Sequence, residues 1–427
     1  MVFLLSLIGL ALLSPKAQAQ EASRIILTAR AGFDAYYKVN RWFPVWVAVE
    51  NTGKDVQAQV QVGYSNRWNG QTIYSMDLFL ASGARKEFIV YVYAEGTVGK
   101  LIIRIKEQRQ TLAERQLVVN QLNENNVMVG LLSETPSAYA ALSDMEPLAG
   151  NARIVQIKPA DLPDAPHGWQ ALDAVVVAEA DTGELTSMQR TALGLWLAQG
   201  GKLLIVGGTN WQMNAAGLAE FLPLAPAKTR RVSRLSSLQS YFRADSSLLG
   251  DMTLVEGDLH PEAQVLIEQD GVPLLVRRPI GFGEVYYLTA DPGIEPLRSW
   301  PNLPIVYSHL LGGRMATPRW VSWEWDENNT NSALSTIAEL DLPSFLLVCS
   351  WLGLYLLVIG PVNFIVLRQF KRPELAWITI PALVLGFSAV AYFSGFLYRG
   401  TQPTLNRLAI MQSWDNFSQA QVHGVTG

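Results

Sequence analysis

Residues 173–211 read DAVVVAEADTGELTSMQRTALGLWLAQGGKLLIVGGTNW. The runs AVVVA (174–178) and KLLIV (202–206) are apolar without alternation, so both faces of each strand are buried. Between them, Thr186–Gln199 is an amphipathic helix with a start at Thr186 and a stop at Gly200-Gly201. Buried strands joined by helices indicate a parallel sheet covered on both faces. Working outward, Asn126–Leu132 reads as a strand, 136–146 as a helix and Arg153–Lys158 as a strand. After residue 250, TLVEGD, AQVLIEQ, PLLVRR and GEVYYLTAD predict an antiparallel extension, and 304–311 a closing helix. The α/β domain is expected over 123–315.

Upstream, the period changes. RIILTAR, PVWVAVEN, AQVQVGYS, IYSMDLFL, KEFIVYVYA and GKLIIRIK alternate and are separated by turn residues such as Asn51-Thr52-Gly53, Ser82-Gly83 and Glu95-Gly96. Six or seven short strands in about a hundred residues predict an all-β, immunoglobulin-like sandwich over 22–120. PVWVAVENTGKD and LFLASGARKEFIVYVY resemble the sandwich modules of bacterial surface proteins, which serve as spacers or interaction modules.

Residues 2–13 (VFLLSLIGLALL) are too short to span about 30 Å of hydrocarbon. Pro15 and the small residues of Ala17-Gln18-Ala19 make 1–19 a signal peptide. Two later segments, 342–367 and 375–398, carry no charge and exceed the ~20 residues of a spanning helix. The loop between them, 368–374, holds Arg368, Lys371 and Arg372, whereas Glu324, Asp326, Glu327, Glu339 and Asp341 precede the first span. The positive-inside rule puts that loop in the cytoplasm and both flanks outside, in agreement with the signal peptide. Trp320, Trp323, Trp325, Trp377 and Tyr398 form the expected interfacial belt. Residues 331–341 are expected as an interfacial helix, Gly360-Pro361 as a kink, and Asn363 as a polar group bonded to the neighbouring helix. Residues 399–427 alternate like two strands, too few for stability alone. They are expected either to pair with the upstream β domain or, favoured by the missing basic residues ahead of 2–13, to belong to a chain incomplete at both ends.

Charged residues are 16% and apolar residues 49%, against about 25% charged in ordinary soluble proteins. A net charge of −4 with no long basic run argues against a nucleic-acid partner. The one cysteine, Cys349, lies inside an apolar span, so no intramolecular disulfide exists. Four scattered histidines give no metal spacing, and no sequence motif calls for a cofactor.

The strand–helix–Gly-Gly–strand–Gly-Gly pattern of 173–211 resembles the class I glutamine amidotransferase-like superfamily, whose core is flavodoxin-like. GPVNFIVLRQFKRPELAWITIP is similar to the turn between spans in large bacterial envelope proteins that join such a domain to membrane helices. The resemblance implies a nucleophilic cysteine after the strand at 202–206, to form a glutamyl thioester. Gly207-Gly208-Thr209 stands there instead, which excludes that mechanism. His260-Pro261-Glu262 matches the base and its orienter but has no nucleophile to serve, and reads as a surface turn.

Ligands of open α/β sheets bind at the carboxyl edge, so Glu179, Asp181, Gly207, Gly208, Thr209 and Asp291 are the candidates for a ligand groove. No phosphate-binding motif follows the glycine pair, and a structural turn is its simpler reading. Arg230, Arg231, Arg234 and Arg243 make 229–243 basic, read as a solvated face. The sequence therefore predicts a non-catalytic, membrane-anchored envelope protein, acting as scaffold or sensor on other envelope proteins and bound to the bilayer. The alternative is an envelope enzyme using the carboxyl edge.

Overall fold

The structure is a computed structural model that describes residues 25–65, 70–313, 344–399, 407–415, 417 and 419–426. The expected signal peptide, the interfacial helix and Trp320, Trp323 and Trp325 lie outside these residues. Two units separate near residue 317, and each is described by itself.

The first unit begins all-β. Its strands are β1 (Ile25–Ala31), β2 (Tyr36–Lys38), β3 (Trp42–Asn51), β4 (Val56–Ser65), β5 (Gln71–Leu80), β6 (Arg85–Tyr93), β7 (Lys100–Glu107), β8 (Gln110–Val118) and β9 (Asn120–Leu122). A three-stranded antiparallel sheet runs β1-β3-β6 and a four-stranded one β5-β4-β7-β8. Alternation decides which side is buried. Phe43, Val45, Val47 and Val49 of β3 meet Val56, Ala58, Val60 and Val62 of β4 and Leu101, Ile103 and Ile105 of β7 in one apolar core.

The chain then builds a seven-stranded sheet from β10 (Val127–Leu132), β11 (Ala152–Gln156), β12 (Ala174–Val177), β13 (Lys202–Val206), β16 (Gln264–Gln269), β17 (Val272–Ile280) and β18 (Gly283–Leu288). The order is β11-β10-β12-β13-β18-β17-β16, with the first five strands parallel and the last two antiparallel. Helix α1 (Ser187–Ala198) joins β12 to β13, capped by Thr186, which accepts from the Gln189 amide while Gln189 returns to the Thr186 amide. Between β13 and β16 come α2 (Trp211–Ala215), β14 (Leu224–Arg234), α3 (Ser236–Tyr241) and β15 (Leu249–Leu259), and α4 (Leu303–Leu311) follows β18. The expected helix at 136–146 is a 3₁₀ helix over Pro136–Asp144, broken at Tyr139, where the backbone leaves helical geometry. The basic stretch 229–243 is also more structured than expected: β14 pairs with β15 as a bulged ribbon, and Lys228 and Arg230 both meet Glu256.

One face of this sheet shares its core with the all-β part. Val155, Leu172, Val175, Val177, Trp169 and Trp196 belong to the same cluster as Val45 and Leu80, and the two indoles lie 5.4 Å apart. A buried tryptophan in such a site contributes roughly 3–5 kcal/mol. Polar contacts finish the seam. Tyr91 OH donates to Asp164 at 2.5 Å, His167 packs between Trp42 and Tyr91, and Arg153 lies 3.9 Å over the Tyr36 ring. The buried Lys38 ammonium pairs with Asp173, whose carboxylate also accepts from the Met128 amide at 2.8 Å. The other sheet face packs Tyr139, Leu142, Leu204, Val206, Tyr307 and Leu310 into a second core.

The second unit holds two helices long and apolar enough to cross a membrane, Phe345–Gln369 and Pro373–Gly395. At the expected kink, Val358–Val362 forms a π-helical turn around Pro361. Trp351 and Tyr355 of the first helix each pack 5.3 Å from Phe387 of the second. Arg368, Lys371 and Arg372 lie exposed at the turn between them, where Lys371 takes a left-handed backbone, and Trp377 is exposed. Tyr398 lies at the end of the second helix. Residues Arg407–Ser413 and Ala420–Thr426 pair with each other as an antiparallel hairpin.

Candidate functional site

The chain runs from β10 outward to β11 but from β12 in the opposite direction to β13. Such a reversal opens a crevice at the carboxyl ends of the two strands. Four strand ends stand side by side there: β10 leads to Ser133–Thr135, β12 to Glu179, β13 to Gly207-Gly208 and β18 to Thr289–Asp291.

Glu179 takes a left-handed backbone, φ +54°, a conformation that costs a residue with a side chain roughly 1–3 kcal/mol. Buried Asn214 donates to the Val206 carbonyl at 2.8 Å and accepts from the Ala180 amide at 3.0 Å, clipping β12 to β13. The Glu179 carboxylate accepts from Thr135 Oγ1, and Asn210 Nδ2 lies 3.5 Å away.

Asp291 is buried and accepts from Tyr139 OH at 3.0 Å and from the Gly293 amide at 2.7 Å. Burial pushes its carboxyl above the usual range, with the negative charge of Glu179 acting the same way and the two hydrogen bonds opposing. Tyr139 is raised by burial and then by the charges of Asp291 and Glu179. Tyr307 is raised by burial and by Asp291; its hydroxyl is buried with no hydrogen-bond partner among the described residues. Among those residues neither Glu179 nor Asp291 has a Lys, Arg or His within ion-pair distance.

Between the carboxylates runs the Gly207-Gly208 turn. The Thr289 carbonyl accepts from the Gly208 amide at 3.0 Å and from the Val255 amide at 3.1 Å. A Cβ on Gly207 would stand 2.4 Å from that carbonyl oxygen, and one on Gly208 2.5 Å from Asp291 Cβ with φ at +79°. No side chain fits at either position, so the turn lets backbone approach backbone.

The structure thus brings Glu179, Gly207, Gly208 and Asp291 to one edge. Asp181 turns aside to accept from the Gly183 amide at 2.9 Å and cap a short turn, and Thr209 is exposed. His260 and Glu262 sit in the surface turn between β15 and β16, where the Glu262 amide donates to His260 Nδ1 at 3.2 Å. Sequence reasoning missed Tyr139, Tyr307, Thr135 and Asn214. The tyrosines lie in apolar stretches where nothing local separates a core ring from one aimed at a carboxylate. Among the described residues no group of three or more His, Cys, Asp or Glu could hold a metal.

Residues 24–120 match a family described as a domain of unknown function, DUF8726. No curated protein matches the chain. Among solved structures, similar chains include the cytoplasmic protein STM1381 from Salmonella typhimurium LT2, at 16% identity and TM-score 0.36, covering 45% of this chain and 100% of that one. The cytoplasmic protein STM3548 from Salmonella typhimurium has 13% identity and TM-score 0.33, covering 51% of this chain and 97% of that one. The exo-beta-1,4-mannosidase Op5Man5 from Opitutaceae bacterium strain TAV5 has 17% identity and TM-score 0.30, covering 45% and 37%.

Proposed function

We propose that the chain is a membrane-anchored envelope protein that works by binding, as a scaffold or sensor, and not by catalysis at its sheet edge. The observation that carries this is the filled Gly207-Gly208 turn. The position that an amidotransferase-like protein needs for its nucleophile is here pressed against Thr289 and Asp291. The parallel strands, numbered along the chain, stand in the order 2-1-3-4-5, which supports a flavodoxin-like reading of this domain and a distant, catalytically silent kinship with amidotransferase-like proteins. The two antiparallel sheets over one core support the immunoglobulin-like reading. Basic residues at the turn between the two apolar helices support a cytoplasmic turn, with the folded domains outside.

Single cysteines at Ser187, Gln369 and Ser413 in a Cys349→Ser background test the placement. Labelling of intact cells at 187 and 413 but not at 369 is expected; labelling at 369 alone overturns it. Cross-linking in cells followed by detergent extraction tests the binding role, and the absence of any reproducible partner would sink it.

The enzyme reading has one specific observation in its favour: a buried Asp291, its carboxyl pushed upward by burial and by the charge of Glu179, which itself holds a left-handed backbone. An activity on an envelope substrate that vanished with Glu179→Ala would establish it in place of the binding role.

A further inference from the structure

Sheet edges expose a row of unpaired amides and carbonyls, and natural proteins blunt them with charge, proline, bulges or shortness. Most edges of residues 25–313 follow that rule. β16 carries two register shifts against β17, β15 has two against β14, and β6 opens with Arg85-Lys86-Glu87. β11 is five residues long and includes an arginine, and β1 packs beside β8.

β5 does not. It is the edge of the four-stranded sheet, ten residues long, and pairs with β4 over all ten without a register shift. Its sequence QTIYSMDLFL has no proline, no lysine and one charge, Asp77. Ile73, Met76 and Phe79 are 45%, 38% and 49% exposed. Among the described residues no backbone hydrogen bond reaches the free side of residues 71–79.

We infer that β5 is an interface, and that its occupant is β5 of a second copy of this chain, paired antiparallel about Met76. The register follows from the pleat, because facing residues in an antiparallel pair must share a sheet face. Gln71, Ile73, Ser75, Asp77 and Phe79 point to solvent, and the alternate residues lie on the inner face, where Met76 stays 38% exposed. Centring on Met76 sets Ile73 against Phe79 twice and Asp77 against the Ser75 hydroxyl. On the inner side it sets Tyr74 against Leu78 and Met76 against its own copy. No like charges meet, and each exposed apolar side chain gains an apolar neighbour. Centring on Ser75 instead would set Asp77 against Ile73 and Phe79 against Gln71. The Met76 register is the one in which the strand is complementary to itself.

Facing residues stand with Cβ atoms about 4.5–5.5 Å apart, within a small adjustment of a disulfide. In this register two Ile73 residues are separated by roughly 20 Å, six residues along the strand. The test uses the full chain in detergent, Cys349→Ser, oxidised with copper phenanthroline. Met76→Cys should give a disulfide-linked dimer, Ile73→Cys should give none, and adding Phe79→Lys to Met76→Cys should abolish the dimer. Thermal unfolding of each variant establishes that the exposed substitutions leave the fold intact. A folded Met76→Cys that stays monomeric overturns the pairing, as does a dimer that survives Phe79→Lys. Equal cross-linking at 73 and 76 overturns the register and marks chance collision. A different protein found cross-linked to β5 in place of the second copy overturns the choice of occupant.

Discussion

The two ends of the seven-stranded sheet treat buried carboxylates in opposite ways. At the amino end Asp173 meets the Lys38 ammonium and the Met128 amide, so its charge is balanced by a cation from the all-β part. At the carboxyl end, among the described residues, Asp291 and Glu179 receive only neutral donors, and a tyrosine hydroxyl is buried beside them without a hydrogen-bond partner. Balanced charge at one end is explained by holding the two parts together. Unbalanced charge at the other end lowers stability, and strain at Glu179 adds to the cost. Such arrangements persist where a site is used.

Four measurements break or sharpen this contrast, and all read unfolding of the purified full chain. Lys38→Met should have the largest effect, a loss of roughly 3–5 kcal/mol, because it removes the buried ammonium that pairs with Asp173. Adding Asp173→Leu should recover part of that loss; no recovery would mean that the pair is not the amino-end clasp. Gly208→Ala comes next, at roughly 1–3 kcal/mol for a left-handed backbone, with the clash against Asp291 added. A neutral result would show that the turn has room for a side chain. Tyr307→Phe removes a hydroxyl with no hydrogen-bond partner among the described residues and should leave stability unchanged or raise it by about 1 kcal/mol. A clear loss would show that the hydroxyl is engaged.

The smallest effect is on pH dependence. The folded carboxyl of Asp291 holds its proton above the unfolded value of 3.8. The native state therefore binds more protons in that window, and stability falls as pH rises from the unfolded value through the folded one. Asp291→Asn should flatten that fall, whereas an unchanged profile would assign it to other groups.

Local chemistry made much of this fold readable. The alternation of β3, β4 and β7, the solid apolar runs of β12 and β13, and the Thr186 start of α1 each contain their own signal. Glu179, Gly207, Gly208 and Asp291 were legible because they end apolar strands. What stayed hidden depends on distance. Lys38 and Asp173 lie 135 residues apart, and Tyr139 and Asp291 152 apart, with no sequence period linking them. The helix expected at 136–146 is present as a 3₁₀ helix over Pro136–Asp144. It breaks at Tyr139, the ring that reaches Asp291.

The shared core between the all-β part and the sheet has a consequence for heredity. The family match ends at residue 120, yet the apolar cluster continues through Trp169 and Trp196. The stretch that recurs as a sequence family is thus smaller than the body that folds. A gene that exchanged one half for a foreign one would have to import the matching side of the seam, Tyr91 with Asp164 or Lys38 with Asp173. Both pairs cross residue 120, so a change on one side of the seam removes a contact made by the other.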